Sequence, residues 1–181
     1  TLLKLIIGSL TPSQGTVLRS KKCNIGYLAQ NDALDPSITL TDYIHNSRPE
    51  IVDLHKSIIK ASHDLQNNHS EYTQASLNAL IEKMHNIGGY EFENEVKYVL
   101  TSLGFREDLW SKQVCCFSGG EQTRICLAAL LLTPFDLLIL DEPSTRLDIA
   151  MIRWLEQYLN TLSNPFLIVS HDRVFLDNTV S

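Results

Sequence analysis

FSGGEQTRICLAALLLTPFDLLILDEPSTRLD, residues Phe117 to Asp148, is the stretch on which the reading of this chain turns. It holds two devices suited to phosphate chemistry, joined by one apolar helix. The first is Ser118-Gly119-Gly120-Glu121-Gln122. Glycines carry no side chain, so backbone N–H groups can approach an anion closely. The start of the helix adds unsatisfied donors and a partial positive charge. The second device is Leu137-Leu138-Ile139-Leu140, which runs into Asp141-Glu142. A buried strand ending in two adjacent carboxylates suits metal-assisted phosphoryl transfer. One carboxylate holds Mg²⁺, directly or through water, and the next orients or deprotonates a water. Alone, the first device is an ordinary turn and the second an ordinary solvated strand end. Their conjunction at this separation, followed by Pro143 and Leu147-Asp148, points to a phosphate site.

The totals set the frame. The chain has 181 residues, enough for one domain with a real core. It is 44% hydrophobic and 20% charged, ordinary for a globular protein. The net charge of -6 argues against a general polyanion binder, so any nucleic-acid contact has to be local. Cys23, Cys115, Cys116 and Cys126 form no C-x-x-C pair and read as reduced cytosolic thiols rather than a disulfide or zinc framework. Pro134 and Asp136 interrupt the longest apolar run below membrane-spanning length. No basic-then-apolar leader is present in the sequence, which opens abruptly in an apolar helix.

Taken in order, residues 1 to 7 predict a short helix, 16 to 19 a strand, and 24 to 29 a strand ending at Gln30. Residues 39 to 46 predict a short helix. Ile51, Leu54, Ile58, Ala61 and Leu65 recur three and four apart, as do Leu77, Leu80, Met84 and Ile87. Each series draws an apolar seam on one helix face, so residues 48 to 87 predict an antiparallel helical hairpin. Ser70 is placed to cap its second helix. Residues 90 to 103 predict a third helix with Phe92, Val96, Val99, Leu100 and Leu103 inward, closed by Gly104. His45, His55, His63, His69 and His85 fall in this helical region and are expected to be solvated.

The segment from Ser118 to Asp148 resembles the signature motif, Walker B motif and D-loop of ATP-binding-cassette (ABC) ATPases. Ser170-His171-Asp172-Arg173, after another apolar run, resembles that family's switch histidine. GYLAQND around Gln30 resembles its Q-loop, and TLLKLIIGSLTPSQGTV resembles the segment directly after its phosphate-binding loop. Gln30 and Ser118 lie 88 positions apart, a longer helical insertion than transporter ATPases usually carry. With GGYEFENEVKYVLTSLGF, SGGEQTR and SHDRVFLDN, essentially the whole chain resembles the first cassette of ABC-F proteins, soluble tandem ATPases of which many act on ribosomes.

The resemblance implies an α/β fold: an ABC-type P-loop core, residues 1–45 and 105–181, around a helical insertion, residues 46–104. It implies that the N-terminal strands and the Walker A loop lie outside this sequence, with Thr1 as that loop's last residue near the α-phosphate. A piece lacking the loop's Lys and metal-binding hydroxyl is expected not to turn over ATP alone. ATP and Mg²⁺ are the implied ligands. Asp141 would hold Mg²⁺ through water, and Gln30 would reach Mg²⁺ or the attacking water. Glu142 would be general base, and His171 would contact the γ-phosphate. Ser118, Gly119, Gly120 and Gln122 would face the ATP of a second ABC domain, with Asp148 reaching across the seam. The implied partners are that second domain and the ribosome, in translation regulation or antibiotic resistance, in the cytoplasm and without direct membrane insertion. The alternative is the motor subunit of a membrane transporter.

Three departures stand out. Phe117 replaces a usual Leu, and Thr145-Arg146 replaces the Asn-His usual in ABC-F chains. Residues 48 to 104 carry Arg48, Lys56, Lys60, Lys83 and Lys97 against eight acidic residues, the reverse of an RNA-gripping arm.

Overall fold

A computed structural model describes residues 1–20, 22–28, 34–67 and 71–180, with the backbone alone for residues 66, 67 and 71–73. At its centre is a parallel sheet of β1 (Ile25–Tyr27), β2 (Leu137–Asp141) and β3 (Phe166–Val169), in the order β1-β2-β3. The register pairs Ile25 with Leu137, and Asp141 with Val169. A parallel sheet buries its central strand on both faces, which is why β2 reads as a continuous apolar run. Leu138, Ile139 and Leu140 are all fully buried.

The helices are α1 (Leu2–Ile6), α2 (Leu40–His45), α3 (Pro49–Asn67), α4 (Glu71–Asn86), α5 (Gly89–Ser102), α6 (Gly119–Leu132), α7 (Ile149–Thr161) and α8 (Arg173–Thr179). Parallel strands need long crossovers. The β1–β2 crossover takes in α2 to α6, and α7 makes the β2–β3 crossover. α6 buries Ile125, Leu127, Ala128, Leu131 and Leu132 and packs on α2 and α5. It is therefore the core helix that carries the Ser118 turn.

The apolar seams build the expected hairpin. α3 packs along α4, with Ile51, Leu54, Leu77 and Met84 buried. A three-residue connection between two packed helices makes them antiparallel. Of those four, Ile51, Leu54 and Met84 join the main core, whereas Leu77 does not. The five apolar positions of residues 90 to 103 are all buried. Gly104 ends that helix at φ +82, with Phe105 N–H on Leu100 O at 2.9 Å and Gly104 N–H on Thr101 O at 3.1 Å. That pair of bonds is the Schellman arrangement, which needs a left-handed residue at this point.

Two expectations fail. Residues 16–19 form no strand. Leu18 is 93% exposed and no described strand runs beside it, so the β-branched run has no ladder to join. His45 is not solvated: its side chain is only 24% exposed, tilts on Phe92 and lies 3.0 Å from Glu93. The Phe92 face packs it in, which its position at the end of α2 does not betray. The expected cap at Ser70 lies outside the described residues.

Candidate functional site

Parallel strands bring their C-terminal ends to one edge of the sheet, where ligands of open α/β sheets bind. β2 delivers Asp141 and Glu142 there, and β3 delivers Ser170 and His171. Glu142 N–H donates to Val169 O at 2.8 Å, tying the two strand ends together. His171 Nε2 then stands 3.7 Å from Glu142 Oε1. That separation is an ion-pair contact when the imidazole is protonated, and it is too long for a hydrogen bond.

Glu142 is held in an unusual state. Its backbone sits at φ 53 and ψ 51, making it the one non-glycine residue at positive φ among the described residues. Such a residue costs about 1–3 kcal/mol and persists only when its surroundings impose it. The turn after it does so. Pro143 and Ser144 are buried, and Glu142 O accepts from Thr145 Oγ1 at 2.9 Å and Thr145 N at 3.3 Å. The Glu142 side chain is 17% exposed, and its Oε1 is buried without a hydrogen-bond partner. A buried polar atom left unsatisfied calls for a reason. A carboxylate oxygen kept free at a strand end is able to take a proton from an incoming water.

Asp141 is half-buried, and its carboxylate makes no hydrogen bond or ion pair among the described residues. No cluster of three or more metal-ligating side chains occurs among them. This donor set suits Mg²⁺, which keeps several waters and takes one or two carboxylates plus substrate phosphate. The Gln30 expectation lies outside the described residues.

The second group of candidates sits at the start of α6. Ser118 is the N-cap, and a capping box closes on it. Glu121 N–H reaches Ser118 Oγ at 3.4 Å, while Glu121 Oε2 accepts from Ser118 N at 2.8 Å and Ser118 Oγ at 2.7 Å. The Ser118 hydroxyl first, then its N–H, hold the Glu121 carboxyl below its ordinary value. The N–H groups of Gly119 and Gly120 make no hydrogen bond among the described residues. A Cβ placed on Gly119 would meet nothing within 4 Å. Two donors without a hydrogen bond thus stand at the positive end of a 14-residue helix.

Gln122 shapes this turn from below. Its Nε2 donates to Phe117 O at 3.0 Å and Val114 O at 3.3 Å. Asp148 caps α7, accepting from Met151 N–H at 2.9 Å, and remains exposed. Thr1 caps α1 without a side-chain bond, and no hydrogen bond or ion pair joins it to the other candidates. The structure thus brings Glu142 and His171 together directly. It sets the Ser118 turn beside the turn that comes after Glu142.

Sequence reasoning missed what joins those two turns. Arg146 lays its Cδ 3.8 Å from where a Gly120 Cβ would sit. Arg146 registered in the sequence only as a departure from the D-loop pattern. Arg124 stacks over Phe105 at 5.3 Å and lies 4.0 Å from Glu121, bracing the first turns of α6. An i, i+3 acid–base pair was the signal available for that contact.

The ABC transporter family matches residues 1–145. YdiF of Bacillus subtilis strain 168 is 40% identical over 186 residues, covering 100% of this chain and 29% of its own length. The energy-dependent translational throttle protein EttA of Haemophilus influenzae is 30% identical over 183 residues, covering 98% of the chain and 32% of its own length. The chain therefore spans about a third of these relatives. Among solved structures, the ATP-binding subunit of an ABC transporter superposes with a TM-score of 0.66 at 18% identity, over 98% of this chain and 65% of that one. That likeness concerns the fold. No helix among the described residues is long and apolar enough to cross a membrane. The chain belongs to the ABC transporter family of ATP-binding domains.

Proposed function

We propose that this chain is the greater part of the first nucleotide-binding cassette of an ABC-F-type ATPase that acts on the ribosome from the cytoplasm, in translation regulation or protection against antibiotics. The observation that carries the ATPase reading is the Glu142 carboxylate, presented by a strained backbone with one oxygen unsatisfied and His171 3.7 Å away. The 30% identity to a translational throttle protein, over 98% of the chain, supports the ribosomal part.

In this reading Glu142 takes the proton of the attacking water, and His171 orients on the γ-phosphate. Asp141 would hold Mg²⁺, which would supply neutralisation of phosphate charge when bound. Gln30 and Thr1 contribute on the same nucleotide. Ser118, Gly119 and Gly120 offer their turn to the ATP of a second cassette, Gln122 keeps that turn in shape, and Asp148 meets the opposite domain. ATP then joins two domains and hydrolysis releases them, a population shift between two states.

The test is Glu142→Gln in the full-length protein. The substitution keeps the shape and removes the base, so hydrolysis is expected to slow by about 10²–10⁴-fold while ATP binding persists. Lysate from cells expressing this variant is then sedimented through sucrose with and without ATP. ATP-dependent comigration with ribosomes is the expected result. Recovery only with membranes would replace this reading with a transporter subunit, and unchanged single-turnover cleavage would remove Glu142 from the role of base.

A further inference from the structure

Two thiols stand directly before the Ser118 turn. Cys115 and Cys116 are both exposed, whereas Cys23 and Cys126 are half-buried. They occupy one short 3₁₀ turn, Val114–Cys116. Both ends of that turn are anchored. Val114 is 1% exposed and donates its N–H to Ile38 O at 2.9 Å. Phe117 is buried edge-on against Phe105 at 5.7 Å. Gln122 bonds the carbonyls of Val114 and Phe117 and so couples the cysteine turn to the first turn of α6. A change in the geometry of residues 114–117 therefore acts on Ser118, which follows Phe117 directly, and on Gln122, which bonds both ends of the turn.

Neighbouring cysteines force such a change when they bond to each other. Across a trans peptide their Cα atoms lie about 3.8 Å apart, shorter than the roughly 4.4–6.8 Å of ordinary disulfides. Side chains one residue apart in a 3₁₀ turn also point about 120° away from each other. Closing the S–S bond therefore opens the turn, and the strain makes the bond easy to reduce.

We propose that Cys115–Cys116 is a reversible modification site for low-molecular-weight disulfides, and that closing its internal disulfide displaces the Ser118–Gly120 turn. The Cys116 thiolate attacks one sulfur of the reagent, forming a mixed disulfide and releasing one thiolate. Cys115 then attacks the Cys116 sulfur, gives up its proton, closes the Cys115–Cys116 bond and expels the second thiol. The protein loses two electrons and two protons, and the reagent is reduced to two thiols. Cys115 is the thiol within reach for the second step, because it precedes Cys116 in the same turn. The effect on ATP turnover rests on the function proposed above, and the modification itself does not.

The experiment treats the reduced full-length protein with oxidised glutathione and reads intact mass, peptide maps and hydrogen exchange. A loss of about 2 Da, mapped to residues 113–117, reversed by dithiothreitol and without a retained adduct, is expected. Exchange over residues 117–124 is expected to rise roughly fivefold, the factor that losing one N-cap is typically worth. Cys115→Ser should trap glutathione on Cys116 and leave exchange over 117–124 unchanged. A persistent adduct on the unsubstituted protein, oxidation confined to Cys23 or Cys126, or closure without faster exchange would each overturn the proposal. ATP hydrolysis measured alongside separates the two readings. Absent hydrolysis even in reduced protein refutes the proposed function alone, while the mass and exchange results still decide the site.

Discussion

Replacing Gly104 by alanine tests how the helical insertion is fastened to the ATPase core. Gly104 sits at φ +82 at the end of α5. A Cβ there would run into Met151 Cε of α7 and come within 3.4 Å of Arg124 Nη1 of α6. Two costs add. Left-handed backbone costs an L-residue roughly 1–2 kcal/mol. Overpacking costs about 1–3 kcal/mol, toward the lower end here because the clashing atom is the tip of a flexible methionine. The sum is about 2–4 kcal/mol, which speeds local opening roughly 30- to 700-fold. Hydrogen exchange over residues 89–106 in the full-length protein reads this directly. Met151→Ala separates the two costs. In a double-mutant cycle it should restore the packing part, about 1–2 kcal/mol, and leave the backbone part. Unchanged exchange in Gly104→Ala would refute the argument. Strict additivity with Met151→Ala would show that the clash is not with Met151.

Three further outcomes are expected. Ser118→Ala should cost about 1 kcal/mol of cap stability and raise the Glu121 carboxyl toward its ordinary value of 4.5, followed by NMR titration. Because the folded value is lowered, the stability from this contact is present above 4.5 and lost as the pH falls through the folded value, and the alanine variant, which keeps only the backbone N–H bond, should show a smaller acid sensitivity. Tyr158 donates to Leu131 O at 3.0 Å, and burial first, then the Glu95 charge, push its phenol from 10.0 up to about 12. The stability it gives is complete below pH 10 and fades as the pH rises to about 12, which a comparison of unfolding with Tyr158→Phe across that window should show. Gly119→Ala meets open space, so its fold should be unchanged within about 0.5 kcal/mol by thermal unfolding. On the proposed function it blocks phosphate approach, so ATP hydrolysis should fall while melting does not. Equal losses in both would return Gly119 to a purely structural role.

Periodicity made most of this molecule readable. Ile51, Leu54, Leu77 and Met84 are buried where the helical seams placed them, and Phe92 to Leu103 face inward as their spacing required. The central strand was visible because burial on both faces leaves an apolar run that ends where solvent begins. The strand expected at residues 16–19 failed because a strand is a pairing, and a local pattern cannot report a neighbour. His45 escapes a local reading for the same reason: its partner Glu93 lies 48 residues away. At the candidate site, the order of apolar runs and motifs put Glu142 and His171 at the ends of two strands, and the sheet sets those ends side by side. That order gave no hint that Glu142 is left-handed or that Arg146 leans on Gly120. Backbone angle and cross-turn contact are products of packing.

The helical hairpin has a mechanical consequence. α3 has 19 residues, so it is roughly 28 Å long at about 1.5 Å per residue. Its near end is rooted among core side chains through Ile51 and Leu54, while farther out the two helices pack chiefly on each other. Such an arm behaves as a lever with its fulcrum beside α2 and α5. A tilt of about 10° at the root carries the far end about 5 Å. A shift of a fraction of an ångström at the root therefore leaves the sheet nearly still and carries the outer turns of α3 through the width of a side chain.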